Sequence, residues 1–356
     1  MAFDPNLFIH PSDRAAMKAL QAIPGFQALM KAFMSIWDER KFKIENMSSK
    51  LRVSERQMKK YYDMLPPICE KLGIKVPEMY IELDVVPNAY TYGDTEPFVV
   101  VTSGLLERFP DDLVQTVIAH ECGHIACHHT LYGTMGRMIL NGTSVLGNFL
   151  TAGNLITEPL LLAYFYWMRC SEFSADRAAI VFDGTADKLT RMCMCFAGYD
   201  PRFSEEADVD VFMEQAKEYV DTMKDSKVNK LIEFYMYRTI THPLTAVRAY
   251  EGKRWFETEH AGKVIDYAEA ITKELPQSIM LPVPASSKKL LGQNYEKVRK
   301  MFVDTGFTNV KLFEEPSKER MKRSGSVVAV CINTKFNFAE TEWFPSDSII
   351  SIHYKE

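Results

Sequence analysis

Two histidines and a glutamate stand close together in the segment His120-Glu121-Cys122-Gly123-His124. Residues four apart on a helix lie about one turn apart on the same face, so both imidazoles can bind one metal ion. Glu121 stands beside them, placed to take a proton from a water molecule on the metal. Zinc suits such a site because it accepts imidazole and carboxylate ligands and leaves a position open for water. The pattern predicts one zinc ion per chain.

The context of this segment supports the interpretation, because five residues alone can occur by chance. The segment lies inside a predicted helix from Asp112 to about Tyr132, with apolar residues on both sides. Pro110 and the two acids that follow it suit the first turn of a helix. We therefore expect a metal-binding helix rather than a helix with incidental histidines.

A third protein ligand is required, and two arrangements can supply it. One places a third histidine ten residues after the first, but position 130 is threonine. The other places a glutamate on a second helix, with an aspartate four residues later, and Glu172 and Asp176 have this spacing. Glu172 is then the third ligand, and Asp176 accepts the free N–H of a ligand imidazole, which we expect to be that of His120. The alternative is an ordinary pair of surface carboxylates.

Four blocks of the chain resemble, in the same order, the HtpX-type and CAAX-prenyl-protease-type zinc metallopeptidases, which are gluzincins. The resemblance covers about residues 10–260. The blocks are NAYTYG from Asn88 with FVVVTSGLLE from Phe98, VIAHECGHIACHH from Val117, EFSAD from Glu172, and Thr241-His242-Pro243 with Arg248 after it.

This resemblance implies a role for the remaining blocks. His242 is expected to stabilise the oxyanion, and Arg248 to help hold that region. The rim of the cleft, where a substrate peptide adds as an extra strand, is expected to be formed by Asn88, Phe98, Val99, Val100 and Val101.

Many relatives carry transmembrane helices, and this chain departs from them. Its most apolar segment, from Pro159 to Met168, is about half the length that a membrane-spanning helix needs. We expect a buried helix there. Stable membrane insertion and prenyl-protein substrates are therefore not carried over from the resemblance.

Residues 293–356 resemble a PASTA-like domain. The resemblance implies an accessory domain for an unknown partner, and the alternative is a βαβ module with no ligand of its own. The matching segments are Gly292–Val298, Gly306–Val310 and Trp343–Asp347.

The fold class is expected to be α+β, a mostly helical zincin-type peptidase domain with a small sheet and a small C-terminal α/β module. Within the first segment, Ser12-Asp13 is the expected N-cap of the first helix. A third helix is expected from about Ser54 to Leu72, and Pro66-Pro67 should kink or break it. The expected domains are a helical segment 1–75 packed on the peptidase domain, the peptidase domain 76–280, a linker 281–292 rich in Pro, Ser and Lys, and the accessory domain 293–356.

Composition limits the partners and the compartment. The net charge of −5 argues against broad nucleic-acid binding, which needs a surplus of Lys and Arg. Seven irregularly spaced cysteines indicate free thiols in a reducing compartment. The N-terminal residues lack the features of a secretory signal. A cytoplasmic location is expected, with peptides or unfolded and misfolded proteins as substrates.

The residues together predict a zinc-dependent endopeptidase. One alternative is a chaperone-like peptide-binding protein with weak or latent protease activity, against which Glu121 argues, since a pure binder needs no base. Another is a metal-dependent hydrolase with a different substrate, against which the strand-forming rim argues. His242 could instead fill the open metal position and keep the resting enzyme latent. His128 and His129 are expected in packing or in solvent.

Overall fold

The computed structural model describes residues 3–140, 158–200, 205–226, 229, 244–272, 279–315, 325–333 and 335–355. The chain forms two compact units: a large unit, Phe8–Ala261, and a small unit, Gly262–Glu356 with Met1–Leu7. The class is α+β, as predicted. The unit boundary precedes residue 281, where composition predicts a linker.

The large unit begins with short helices and one strand: α1 (Pro11–Ala22), α2 (Phe26–Ile36), α3 (Glu39–Ser49), β1 (Leu51–Val53), α4 (Lys59–Tyr62) and α5 (Leu65–Leu72). The N-cap of α1 is His10, whose Nδ1 accepts the Ser12 N–H at 3.1 Å, and not the expected Ser12-Asp13 pair. Asp13 is instead buried inside the helix. The helix predicted from Ser54 is interrupted near Pro66-Pro67, as expected, and forms the two short helices α4 and α5. Pro66 stands in the first turn of α5, the position that a proline suits.

The strands β2 (Glu78–Glu82), β3 (Ala89–Tyr92) and β4 (Phe98–Thr102) join β1 in a sheet of order β1-β2-β4-β3. β4 runs parallel to β2 and antiparallel to β3. Every residue of β4 is buried, which explains its continuous apolar sequence. β3 lies at one end of the sheet.

The helices that follow are α6 (Ser103–Arg108), α7 (Asp111–Ala126), α8 (Thr130–Leu140), α9 (Glu158–Asp183), α10 (Asp187–Ala197), α11 (Val209–Asp225) and α12 (Thr245–Phe256). α7 ends at Ala126 and does not continue to Tyr132 as predicted, because His128 takes a left-handed φ of 58°. The apolar segment before Arg169 forms the first part of α9, with Leu160, Tyr164 and Trp167 buried. Within the described ranges, none of the helices combines the length and the apolar character needed to cross a lipid bilayer.

α7 and α9 pack closely through a glycine. A Cβ atom placed on Gly123 would lie 2.6 Å from the Cβ of Ala178 and 3.0 Å from the Cα of Ala175, so only glycine permits this approach. Glu172 lies about one turn before Ala175 on α9. The contact therefore determines how close Glu172 comes to the histidines of α7.

The N-terminal helices share a hydrophobic core with α8 and α9. Buried side chains of α1 and α2 pack there against an aromatic group on α9, and the helical segment before residue 75 is thereby part of the peptidase core. The central members are Leu20, Phe33, Met135, Tyr164, Phe165 and Trp167.

The small unit contains α13 (Glu259–Thr272, whose first turn holds the unit boundary), β5 (Met280–Pro282), α14 (Ser287–Leu290), α15 (Tyr295–Thr305), β6 (Asn309–Glu315), β7 (Val327–Ile332), β8 (Trp343–Pro345) and β9 (Ile349–Lys355). β6, β9 and β7 form one sheet in that order, and β5 pairs with β8 in another. In the segment expected to be a βαβ module, a helix, α15, comes first and strands follow it. Three of these strands, β6, β7 and β9, form one sheet.

The segment 281–292 is not the exposed linker that its composition predicts. Leu281 pairs with Phe344, and Leu281, Val283 and Ala285 are buried. Pro282, between the first two, is buried as well. The apolar residues and a proline of this segment therefore pack inside the small unit, although their composition resembles that of a linker.

Candidate metal centre

Helices α7 and α9 bring His120, His124 and Glu172 together in a buried group. The Nε2 atom of His120 lies 3.4 Å from Oε2 of Glu172, and the Nε2 atom of His124 lies 3.3 Å from Oε1 of the same carboxylate. The three ligand atoms all lie within 4.8 Å of one another. The carboxylate thus faces both imidazoles at once.

These distances fit a four-coordinate metal ion. With ligand bonds of about 2.0–2.1 Å, a tetrahedral ion separates its ligand atoms by about 3.3–3.4 Å. Each imidazole nitrogen has one carboxylate oxygen at about that separation: Oε2 at 3.4 Å for His120 and Oε1 at 3.3 Å for His124. The donor set of two imidazoles and one carboxylate leaves a fourth position for water or substrate.

Asp176 and Arg248 support the first imidazole from behind. The Nδ1 atom of His120 lies 2.9 Å from Oδ1 of Asp176. The Arg248 guanidinium, from α12, donates to both oxygens of Asp176 at 2.6 and 2.9 Å, and its Nη1 lies 3.5 Å from Glu172. Burial raises the pKa of Asp176, but Arg248 and His120 outweigh it and hold that pKa below its usual range. Asp176 is therefore an ionised acceptor for the Nδ1–H of His120.

The two imidazoles differ in their affinity for protons. Burial and Arg248 lower the pKa of His120, but its hydrogen bonds with Asp176 and Glu172 prevail and raise that pKa to about 9. Burial lowers the pKa of His124. A metal ion that binds here displaces the proton from Nε2 of His120, since only the free nitrogen is a ligand.

A pocket adjoins two members of the ligand group, His124 and Glu172. Glu121 also lines it, as does Thr91 of β3. Its lining includes an uncharged set: Thr130, Gly133, Trp167 and Met168. A Cβ atom on Gly133 would meet no atom within 4 Å, so the pocket is open at that point.

The structure corrects the expected substrate rim. β4 lies between β2 and β3, so its main-chain groups are already paired, and a peptide cannot add to it as a strand. The continuous apolar sequence of β4 is typical of a central strand. The main chain of Asn88 is also occupied, since its N–H donates to Thr102 Oγ1 and its carbonyl accepts the Thr102 N–H, each at 2.9 Å. Strand addition at Phe98, Val99, Val100 and Val101 is therefore wrong, while a role of the Asn88 side chain in substrate binding stays a prediction.

The strand at the edge is β3, next to the pocket. Because Asn88 accepts from Thr102, the hydrogen-bonded pairs of this antiparallel ladder continue at Tyr90 and Tyr92. The main-chain groups of Ala89 and Thr91 then point away from β4. Thr91, which lines the pocket, is one of the two residues that present such groups.

One pair of residues beside the ligand group, His129 and Asp13, was missed by sequence reasoning. His129 is buried, with Nδ1 3.1 Å from Nδ1 of His124 and Nε2 3.0 Å from Oδ2 of Asp13. The only local signal for this contact is an acidic residue on a helix face that is otherwise apolar. His242 lies outside the described residues, and its role stays a prediction.

The cysteines are free thiols, as their spacing predicts. All seven are buried and unpaired in disulfides. Cys122 and Cys127, the neighbours of the histidine motif, are not members of the ligand group. They pack in the protein interior.

Comparison with known proteins agrees with the geometry. Residues 56–255 match Peptidase family M48. The "Plastoglobule-localized metallopeptidase 48, chloroplastic" of Arabidopsis thaliana is 31% identical over 254 residues, which are 71% of this chain and 73% of that protein.

Two shorter matches are to bacterial proteins named "Protease HtpX homolog". The Sulfurovum sp. protein is 33% identical over 90 residues, 25% of this chain and 33% of its own length. The Campylobacter concisus protein is 28% identical over 105 residues, 29% of this chain and 36% of its own length. These matches confirm the HtpX-type resemblance, while the PASTA-like resemblance of residues 293–356 stays a prediction.

The match to the family spans more than half of the chain and contains the metal ligands, their supporting residues and the edge strand. The Arabidopsis protein extends the similarity across most of both chains. This chain belongs to peptidase family M48 and is a metallopeptidase.

Proposed function

We propose that this chain is a zinc-dependent endopeptidase that hydrolyses extended polypeptide segments, with Glu121 as its general base. The observation that carries the proposal is the ligand group His120, His124 and Glu172, two members of which, His124 and Glu172, line one pocket with Glu121. Zinc is the metal that best suits two imidazoles, one carboxylate and tetrahedral spacing. The ion would be one per chain.

When bound, zinc supplies a Lewis acid that polarises the scissile carbonyl and acidifies a water molecule. Glu121 takes the proton of the attacking water and later gives it to the leaving amine. Asp176 fixes the orientation of His120 through its Nδ1–H, and Arg248 fixes Asp176. His242 is proposed, on the family resemblance, as the hydrogen-bond donor to the oxyanion.

The substrate is proposed to bind along β3. An extended peptide that pairs with the main chain of Ala89 and Thr91 adds a strand to the sheet and passes beside Glu121. One of its side chains then enters the pocket between Gly133 and Trp167. Because that end of the pocket carries no charged group among its lining residues, we expect an uncharged side chain there.

A cleavage screen on a peptide library tests this function, with wild type compared to Glu121→Gln. General-base catalysis typically contributes about 100- to 10,000-fold, so Glu121→Gln should lose activity by that factor. Its zinc content should be unchanged, because Glu121 is not one of the ligands. A Glu121→Gln protein that cleaves as fast as wild type would contradict the assignment of the base.

The same screen separates the rival function. A chaperone-like peptide-binding protein would bind library peptides equally well in both forms and cleave them in neither. The family match argues for the enzyme, and the ionisable Glu121 in the pocket wall is needed only for hydrolysis.

A further inference from the structure

A series of three buried side chains runs from a metal ligand to the N-terminal helix. His124 Nδ1 lies 3.1 Å from His129 Nδ1, and His129 Nε2 lies 3.0 Å from Asp13 Oδ2. Asp13 is 3% exposed and His129 is 6% exposed, so water does not compete for these contacts. Asp13 belongs to α1 and precedes the stretch that matches the family.

Ligation fixes the direction of both hydrogen bonds. Nε2 of His124 faces Glu172, so this is the nitrogen that binds metal, and Nδ1 carries the hydrogen. His129 must then accept at its own Nδ1 and carry its hydrogen on Nε2. That hydrogen is donated to the Asp13 carboxylate. Every donor in the series therefore points away from the metal towards one negative charge.

The fold builds this series through the early end of α7. In a continuous helix, a residue five positions after His124 would lie about 140° around the axis and face elsewhere. The left-handed conformation of His128 breaks the helix and returns His129 to His124. His128, which is not a glycine, therefore has a strained backbone conformation.

Helix α9 holds the far end of the series. Asp13 accepts hydrogen bonds from the Trp167 Nε1–H at 3.0 Å and from the Ser174 hydroxyl at 2.6 Å. Both donors flank Glu172 on α9. The Asp13 carboxylate is thereby fixed to the same helix that supplies the third metal ligand.

We propose that Asp13 and His129 are positioning residues for His124, and that helix α1 is thereby a functional part of the metal centre. The pair orients the His124 ring and makes its Nε2 a stronger ligand, as Asp176 does directly for His120. The two ligand imidazoles thus each end on a buried carboxylate, one directly and one through a second imidazole. The inference rests on the proposed metal site.

Zinc affinity, measured by competition with a chelator, tests the proposal together with thermal unfolding of the metal-free protein. His129→Phe keeps a ring but removes both hydrogen bonds, and it should weaken zinc binding by about 10- to 100-fold. His129→Asn keeps an acceptor towards His124 and should recover part of this loss. Asp13→Asn, which removes the charge but leaves an acceptor oxygen, should also fall between His129→Phe and wild type.

Thr116→Val is the matched control. It removes the hydroxyl hydrogen bond to another carboxylate of α9, that of Asp183 at 2.8 Å, and no contact of the series. It should therefore lower the unfolding temperature without changing zinc affinity. If His129→Asn and Asp13→Asn both bind zinc as wild type does, the series is structural only and the proposal is overturned. Should His129→Phe fail to fold, these two variants decide the matter. Failure of wild type to bind zinc would instead overturn the proposed function.

Discussion

Glu172 and Asp176 lie one turn apart on α9 and contact opposite nitrogens of the same imidazole. Glu172 faces Nε2 of His120, whereas Asp176 faces Nδ1. We expect Glu172→Ala to lose the zinc ion and Asp176→Ala to bind it about 10- to 100-fold more weakly, since only the former is a ligand. Elemental analysis at nanomolar free zinc measures both. Full occupancy in Glu172→Ala would remove Glu172 from the ligand set.

His242 offers a prediction whose sign separates two roles. Loss of one oxyanion donor typically costs about 100- to 1,000-fold in turnover, so His242→Ala should slow catalysis by that factor at unchanged zinc and substrate affinity. A histidine that fills the open metal position would behave differently, because its removal would raise activity. A steady-state assay at fixed zinc distinguishes the two, and unchanged turnover would contradict both.

Gly133 should control which side chains enter the pocket. It lies in α8 with open space where its Cβ would be, so a larger residue folds without a clash and fills the pocket instead. Each methylene of pocket space is worth about 10- to 200-fold in discrimination. We expect Gly133→Leu to suppress cleavage beside large side chains and to spare small ones, with Gly133→Ala intermediate. The peptide library gives the preference of each variant, and an unchanged preference would place the substrate elsewhere.

At the scale of single residues, the sequence predicts which side chains share a helix face, because their spacing alone determines it. The spacing of His120 and His124, and of Glu172 and Asp176, places each pair on one helix face whatever the rest of the fold does. Asp13 shows the limit. Its contact with His129 joins distant parts of the chain, and the Ser12-Asp13 pair looks like an ordinary N-cap.

The close contact between α7 and α9 holds the ligand group together, and the variant Gly123→Ala tests its importance. A Cβ there would lie 2.6 Å from that of Ala178, so Gly123→Ala must push the helices apart. Overpacking typically costs about 1–3 kcal/mol of unfolding free energy. We expect that loss together with weaker zinc binding, because Glu172 moves with α9.

Chemical denaturation of the metal-free protein and a zinc titration measure the two effects of Gly123→Ala. Gly262→Ala is the control, since a Cβ on Gly262 in α13 would meet no atom within 4 Å and alanine favours the helix. Its unfolding free energy should be unchanged or slightly higher. Normal zinc affinity in a destabilised Gly123→Ala protein would show that the helix contact contributes to stability but does not determine the position of Glu172.

The N-cap of α1, His10, makes the folding stability of the protein depend on pH. Burial and the nearby Arg177 lower the pKa of His10 to about 4, and its neutral Nδ1 accepts the Ser12 N–H. Between pH 4 and pH 6.5 the unfolded chain therefore holds more protons than the folded one. This contribution to stability is complete above about pH 6.5 and is lost as the pH falls towards 4.

His10→Asn, which retains a capping acceptor that does not titrate, should have a smaller fall in unfolding temperature across that range than wild type. Melting curves at several pH values measure the difference. Identical pH dependence in both proteins would assign the acid sensitivity to other groups.

Helices and strands were predictable from the sequence where the spacing or run of apolar residues is regular. The order of the strands in the sheet was not. The helical character of α7 and α9 and the strand character of β4 follow from their own residues. The position of β4 between β2 and β3 depends on pairings with other segments, which the residues of β4 do not reveal. The end of α7 at Ala126 comes with the left-handed conformation of His128, which the periodicity of the sequence does not show.

At the scale of the whole molecule, the unit boundary indicates where the chain can be divided. A cut near Ala285, which composition favours, would leave β5 without its partner β8. A chain of residues 8–258 ends between α12 and α13 and keeps the ligands, Asp13 and Arg248. We expect it to unfold cooperatively and to bind one zinc ion with the affinity of the full chain. Loss of cooperative unfolding would show that the two units share a core.

Composition could not place this boundary, because it does not show which residues pack against a partner. Leu281, Val283 and Ala285 are buried, and so is Pro282 between the first two. Their burial becomes visible only when the partner strand β8 is known.

The proposed binding of substrate along the main chain of Ala89 and Thr91 has a consequence for the choice of substrate. An edge that binds main-chain groups would require a segment whose own N–H and C=O groups are not already paired, and in a folded protein most are paired. On this proposal, we expect cleavage of a folded protein to wait for a local opening, at a rate that follows the free energy of that opening when closing is fast. A target destabilised by about 1.4 kcal/mol would then be degraded about ten times faster, whatever its sequence. The stability of the substrate, more than any cleavage motif, would decide its lifetime.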